Sequence, residues 1–314
     1  MYRDKSICVI MPAFNEEVTI GDTIDALPEY IDHVIVVDDG SRDQTARIAE
    51  KKGAAVFKHR QNRGVGAAFN TGLRSALKYG ADIAVNIDAD GQFNPRDIKE
   101  LITPIIEGRA QFVTASRFLD PRRTPAMRRV KRWGNKYMSF MISTIARQRF
   151  YDVSCGFRAY SKEALMQLNL FGDFTYTQES FLNFAFNNIS ILEVPVDVIG
   201  ERRYGKSRVA SNVFKYACQT LIIIIRTMRD YKPFRMFAAI ALFFLAIGLA
   251  LAAFLAVHYV RTSTFTPHKW AGFTSGFFII LAILSFVLGF ILDMFARIRL
   301  NQERILFFLK RHSK

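Results

Sequence analysis

The chain has 314 residues, enough for one sizeable α/β domain with an appendage. A net charge of +15 favours acidic partners such as phosphates and anionic lipid, and the 50% hydrophobic content is unevenly spread. Three scattered cysteines (Cys8, Cys155, Cys218) exclude CxxC zinc spacing, argue against a disulfide scaffold and suit a reducing compartment.

Ser6 to Met11 reads as a strand ending at Pro12; its apolar part is too short for the core of a signal peptide. Glu17 to Leu27 reads as a helix, and His33 to Val37 as a strand running into Asp38-Asp39-Gly40-Ser41. A helix over Asp43 to Lys52, a short strand over Ala55 to Lys58 and a helix over Gly66 to Tyr79 follow. The apolar run Ile83 to Ile87 is the next strand. Strands alternating with helices at these intervals predict a mostly parallel, doubly wound sheet, in which ligands sit beyond the carboxyl ends of the strands. Three predicted strands end in polar or acidic turns: Asn15-Glu16-Glu17, Asp38-Asp39 and Asp88-Ala89-Asp90. The first strand has no glycine-rich turn after it and no Walker sequence is present, so a dinucleotide-binding domain and a P-loop NTPase are both disfavoured.

Asp88 and Asp90, one residue apart at the end of a buried strand, can converge on one hard divalent cation. Mg²⁺ or Mn²⁺ takes oxygen ligands and commonly shares them with a substrate diphosphate. The competing reading is a turn or helix cap. None of the five histidines stands in a convincing catalytic setting.

Two stretches near the C-terminus, Met236 to Val257 and Ala271 to Leu292, carry no charged residue. Each is about 22 residues, or ~33 Å as a helix, which matches a hydrocarbon core of about 30 Å. Only Arg261 and Lys269 lie in the linker, whereas Arg226, Arg229, Lys232 and Arg235 precede the first stretch and Arg297, Arg299, Arg304, Lys310, Arg311 and Lys314 follow the second. The positive-inside rule then places the N-terminal domain and both termini in the cytoplasm of a two-span protein of the plasma membrane. Asn212 to Met228 reads as a helix on the membrane face, and Ile298 to Phe308 as a second amphipathic segment along the surface. The expected organisation is a catalytic domain over 1–210, an amphipathic juxtamembrane helix over 211–232, spans over 233–259 and 271–294, and a basic tail over 295–314.

The segments Val9 to Glu17, Val36 to Thr45, Asn62-Arg63-Gly64 and Asp88-Ala89-Asp90, in this order, resemble glycosyltransferase family 2 with its GT-A fold. Ala115-Ser116-Arg117-Phe118, Arg132-Trp133-Gly134-Asn135, Asp152 to Arg158 and Glu201 to Arg208 are similar to motifs of the polyprenyl-phosphate glycosyltransferases within it. Cys155 and Arg208 depart from the usual Ser and Lys, and the Q-x-x-R-W motif of processive synthases is absent, which argues against polymer synthesis. The resemblance covers residues 6 to about 210, and the two-span hairpin resembles that of bacterial and archaeal membrane-bound members. The fold it implies is an α/β, Rossmann-like GT-A catalytic domain with a mostly parallel sheet, followed by a transmembrane hairpin.

By this resemblance Pro12, Asn15 and Glu16 or Glu17 line the nucleoside pocket and Asp39 contacts base or ribose. Carboxylates accept from base N–H groups and ribose hydroxyls. Glu16 and Glu17 can equally favour the positive end of the next helix. Asp88, Asp90 and Gln92 are the expected ligands of Mg²⁺ or Mn²⁺, and Arg202 and Lys206 add cationic contacts to the donor. Arg117, then Arg132, then Arg128 or Arg129 would hold the phosphate of a lipid acceptor, with a membrane-facing basic run as the alternative for most of these arginines. Glu179 would contact sugar hydroxyls or favour a helix N-terminus. The function implied is inverting, metal-dependent transfer of a hexose from a UDP- or GDP-sugar to dolichyl or undecaprenyl phosphate. The alternative is a non-catalytic, donor-binding membrane adaptor of a glycolipid flippase. A nucleic-acid partner explains the charge but not the two spans, and a homo-oligomer is compatible with the sequence.

Overall fold

The computed structural model describes residues 1–125, 127, 129–168, 176–199, 222, 225, 226 and 228–312, and the chain divides into two units, Met1–Ile224 and Ile225–Lys314. In the first unit the strands are β1 (Ile7–Ala13), β2 (His33–Asp38), β3 (Ala55–Lys58), β4 (Ile83–Asn86), β5 (Phe112–Ser116), β6 (Arg158–Ser161) and β7 (Ile191–Pro195). The helices are α1 (Ile20–Asp25), α2 (Thr45–Lys51), α3 (Val65–Lys78), α4 (Ile98–Ile106), α5 (Arg129–Ala146), α6 (Lys162–Gln167) and α7 (Thr177–Phe186).

These strands form one sheet in the order β3-β2-β1-β4-β6-β5-β7. Pairing is parallel except for β6, which runs antiparallel to both β4 and β5. Ile7, Val9, Met11, Val36, Val85, Val113 and Ala159 are inaccessible to solvent, as expected for strands covered on both faces. The seven-residue β1 continues through Pro12, whose register partner is Val37, instead of stopping before it. The first helix begins at Ile20, so Glu16 and Glu17 belong to the loop that precedes it.

The direction of the strands decides what meets at the sheet edge. The carboxyl ends of β1, β2 and β4 are adjacent because these strands are parallel neighbours. Antiparallel β6 brings its amino end to the same edge, with Arg158 opposite Asn86, and β5 ends there too. The loops after Ala13, Asp38, Asn86 and Ser116, together with the segment before Arg158, therefore share one edge.

The second unit contains α8 (Pro233–Thr262) and α9 (Lys269–His312), both long and apolar enough to cross a membrane. They approach closely at Gly248, where an added Cβ would stand 2.8 Å from Ile279 Cγ1, and Ser275 Oγ donates to the Gly248 carbonyl at 2.8 Å. Small residues that let two backbones meet are the usual means of packing helices in lipid. At the other end of the pair Arg299 bridges Asp230 (2.7 Å) and Glu303 (3.0 Å). Helix α9 runs unbroken to His312, so Ile298 to Phe308 continues the second apolar helix. Most of the expected 211–232 helix lies outside the described residues.

Candidate functional site

The loop after β1 is laced to the loop after β2. Asn15 takes a left-handed backbone (φ 54°), its N–H donates to Ser41 Oγ at 2.9 Å, and its Oδ1 accepts from the Arg42 N–H at 2.8 Å. The Glu16 N–H donates to Thr45 Oγ1 at 2.8 Å, and Glu17 Oε2 accepts from the Gln44 N–H at 3.0 Å. Asp38 Oδ1 accepts from the Ser41 N–H at 3.0 Å. Pro12 sits at the end of β1, partly accessible beside these loops.

Asp39 is buried, and its carboxylate receives the backbone N–H groups of Arg63 (2.9 Å) and Gly64 (2.8 Å). His59 Nδ1 lies 2.7 Å from Asp39 Oδ1, and its Nε2 lies 2.9 Å from Thr71 Oγ1. Asp39 therefore ties the Asn62-Arg63-Gly64 turn to the end of β2. His59 was passed over in the sequence; its role comes from a partner 20 positions away that no local spacing marks.

The Asp88-Ala89-Asp90 turn is tied to the β1 loop by Thr19, whose Oγ1 donates to the Ala89 carbonyl at 2.7 Å. Asp90 is buried, and its Oδ1 accepts from the Gln92 N–H at 3.1 Å; Asp88 is only partly buried. Gln92 Nε2 donates to the Ile199 carbonyl at 3.0 Å, which leaves Oε1 as the atom of that amide suited to a cation. Asp88 lies against Gly156 and near Tyr176, whose phenol is held well above 10 by burial first and then by the Asp88 charge. Among the described residues no three His, Cys, Asp or Glu side chains cluster to hold a metal. Two carboxylates and one amide oxygen are the kind of donor set that a hard divalent cation takes.

Arg117 follows β5 and forms a bidentate pair with Asp152: Nε to Oδ2 at 2.6 Å and Nη2 to Oδ1 at 2.9 Å. Its Nη2 also donates to Ser154 Oγ at 2.7 Å, and Ser154 Oγ donates to Asn135 Oδ1 at 2.7 Å. Asn135 is one turn beyond Arg132 on α5, so a hydrogen-bond chain joins Arg117 to the helix bearing the second arginine; the Arg132 side chain is exposed. Asp152 has no exposure, and burial would raise its carboxyl, but the Arg117 charge and hydrogen bonds outweigh that and hold it below 3.8. The Tyr151 and Asp152 N–H groups donate to Glu193 at 2.8 Å each, and burial pushes the Glu193 carboxyl above 4.5. Neither Asp152 nor Glu193 was singled out as a site residue from the sequence.

Glu179 lies in the first turn of α7 and is buried. Arg128, Arg202 and Lys206 lie outside the described residues.

Residues 8–168 match the family "Glycosyl transferase family 2". The chain is 36% identical over 217 residues to the UDP-N-acetylglucosamine–dolichyl-phosphate N-acetylglucosaminyltransferase of Methanococcus voltae, covering 62% of this chain and 86% of that one. It is 28% identical over 227 residues to the polyprenol monophosphomannose synthase of Mycolicibacterium smegmatis, covering 67% and 83%. Among solved structures it is similar to glucosyl-3-phosphoglycerate synthase from Mycobacterium tuberculosis in complex with Mn²⁺, UDP-glucose and phosphoglyceric acid, with a TM-score of 0.57, 23% identity, and coverage of 71% of this chain and 80% of that one. That likeness shows a GT-A fold. The family match, on a sheet whose strand ends gather the acidic turns and Arg117, makes the chain a glycosyltransferase, and it belongs to glycosyl transferase family 2.

Proposed function

We propose that the protein transfers a hexose or N-acetylhexosamine from a nucleoside-diphosphate sugar to a polyprenyl phosphate, with inversion at the anomeric carbon. The observation that carries this reading is the shared sheet edge, where the acidic Asp88–Asp90 turn and the Asp152-anchored Arg117 both lie. The names of the Methanococcus voltae and Mycolicibacterium smegmatis relatives support the class of acceptor.

The loops carrying Pro12, Asn15, Glu16, Glu17 and Asp39 form the nucleoside side of the site in this reading, and Arg202 and Lys206 reach the donor diphosphate. Asp88, Asp90 and Gln92 would hold Mg²⁺ or Mn²⁺, a choice supported by the Mn²⁺ in the structural relative. Bound there, the cation supplies Lewis-acid neutralisation of the departing diphosphate. Arg117 and Arg132, with Arg128, bind and orient the acceptor phosphate, and Glu179 contacts the sugar. A phosphate monoester oxygen is already anionic near neutral pH, so its attack on the anomeric carbon needs no strong general base. The bond from that carbon to the donor diphosphate breaks, and the nucleoside diphosphate leaves with the electron pair. Asp152 holds the Nε–Nη2 side of Arg117 and keeps the guanidinium from rotating, so the charge meets the phosphate already oriented.

Helices α8 and α9 span the membrane in this reading, with the basic segments on either side of the pair in the cytoplasm. An acceptor confined to two dimensions near the catalytic unit gains in effective concentration.

The test incubates the full-length protein in membranes with radiolabelled nucleotide-sugars and polyprenyl phosphate. A glycolipid that forms with Mn²⁺ or Mg²⁺ and disappears with EDTA is expected. No glycolipid from any common donor would overturn the reading, and full activity of Asp90→Ala would remove the metal from it.

A further inference from the structure

Gly156 ends the segment that antiparallel β6 delivers to the site edge, two residues before the Asn86–Arg158 register pair. Its backbone does not adopt a positive φ, so conformational freedom does not explain a glycine there. Space does. A Cβ on Gly156 would stand 3.0 Å from Asp88 Oδ2, 3.3 Å from Asp88 Oδ1 and 3.3 Å from Tyr176 Oη. A methyl group there would press on the Asp88 carboxylate and the Tyr176 hydroxyl and oblige them to shift by a few tenths of an ångström.

The walls of that space are held from behind. Asn86, with no exposure, donates through Nδ2 to the Gly156 carbonyl at 2.8 Å and to Tyr176 Oη at 2.7 Å. Flipping the amide would turn its oxygen onto the Gly156 carbonyl, so the two contacts fix its orientation. The consequence is that Asn86 Oδ1 is buried without a hydrogen-bond partner, a cost that the two fixed contacts outweigh. The Tyr176 ring stacks on Phe69 with centroids 4.1 Å apart and planes 13° apart, and it faces the Arg158 guanidinium at 5.6 Å. Arg158 is fully buried and donates to the carbonyls of Val153 (3.3 Å) and Cys155 (2.7 Å), which fixes the chain leading into Gly156.

We propose that Gly156, Asn86 and Tyr176 form a slot that positions the Asp88 carboxylate for a divalent cation. The inference rests on the metal reading of Asp88 and Asp90. None of the three touches the reacting atoms, so they are positioning residues. Groups that orient a metal-binding carboxylate typically change metal affinity 10- to 100-fold when altered. Gly156→Ala pushes a methyl against the carboxylate. Tyr176→Phe removes only the hydroxyl wall and keeps the ring on Phe69, so it tests the slot even where the alanine variant does not fold.

The experiment titrates Mn²⁺ alone into the full-length protein in detergent, following free Mn²⁺ by electron paramagnetic resonance, with thermal unfolding as the control for folding. Mn²⁺ binding at least about tenfold weaker in both folded variants is expected. Folded variants that bind Mn²⁺ within about twofold of wild type would overturn the slot while leaving the metal reading intact. Absence of saturable binding to wild type, or undiminished binding to Asp90→Ala, would overturn the metal reading and the slot with it.

Discussion

Arg117 gives Asp152 three hydrogen bonds, from its backbone N–H (3.1 Å), Nε (2.6 Å) and Nη2 (2.9 Å), and thereby locks the end of β5 to a segment 35 residues later. The pairing is asymmetric, because the arginine side chain is 20% accessible and the aspartate not at all. Removing Arg117 strands a buried carboxylate, whereas removing the Asp152 charge leaves a guanidinium that still reaches water. Arg117→Met is therefore expected to lower stability by about 3–5 kcal/mol and Asp152→Asn by clearly less. Thermal unfolding of the two variants in one detergent gives the order. A larger loss in Asp152→Asn contradicts it.

The same pair fixes a pH response. A carboxyl held below 3.8 in the folded chain contributes stability that is present above 3.8 and is lost as pH falls through its lowered value. Glu193 has the opposite sign: with its carboxyl raised above 4.5, its contribution is present below 4.5 and is lost as pH rises through the raised value. Thermal unfolding of wild type between about pH 3 and 6 should fall off at the acid end, and Asp152→Asn should lose that acid-side slope. An unchanged slope in the variant would assign the acid response to other groups.

Asp39 uses both oxygens on the Arg63 and Gly64 amides. Asp39→Asn puts an NH₂ group against one of those donors, a mismatch of about 1–3 kcal/mol, or ~5- to 150-fold in an equilibrium. We expect KM for the nucleotide-sugar to rise within that range while the helical circular dichroism signal is kept. A KM equal to wild type would show that the 63–64 turn does not govern donor binding.

In the hairpin two changes separate packing from hydrogen bonding. Gly248→Ile drives a side chain into Ile279 and the Ser275 carbonyl, and overpacking of this kind costs about 1–3 kcal/mol. Ser275→Ala removes one interhelical hydrogen bond, worth about 0.6 kcal/mol in lipid. Protease resistance of the two variants in detergent should therefore fall much further for Gly248→Ile. Equal losses would mean that the hydrogen bond, not the close approach, holds the helices.

The alternation of apolar runs with helical stretches was legible along the chain because burial leaves a local period in the sequence. His33–Asp38, Ala55–Lys58 and Ile83–Asn86 are strands close to where that pattern puts them, and the two uncharged stretches lie in long apolar helices. The acidic strand ends were legible for the same reason, since a polar turn after a buried strand marks an edge. The strand end at Pro12 was misread because the rule used for it was local: a proline is tolerated where the sheet does not need its N–H. Partnership across the fold was not legible at all. Asp39 with His59, Arg117 with Asp152, and Asp88 with Gly156 are joined only when the parallel strands set their ends side by side and β6 enters antiparallel between β4 and β5. The sequence alone thus determined which side chains carry charge and which segments avoid water, whereas the strand order decided which charges meet, because a contact between distant residues leaves no period along the chain.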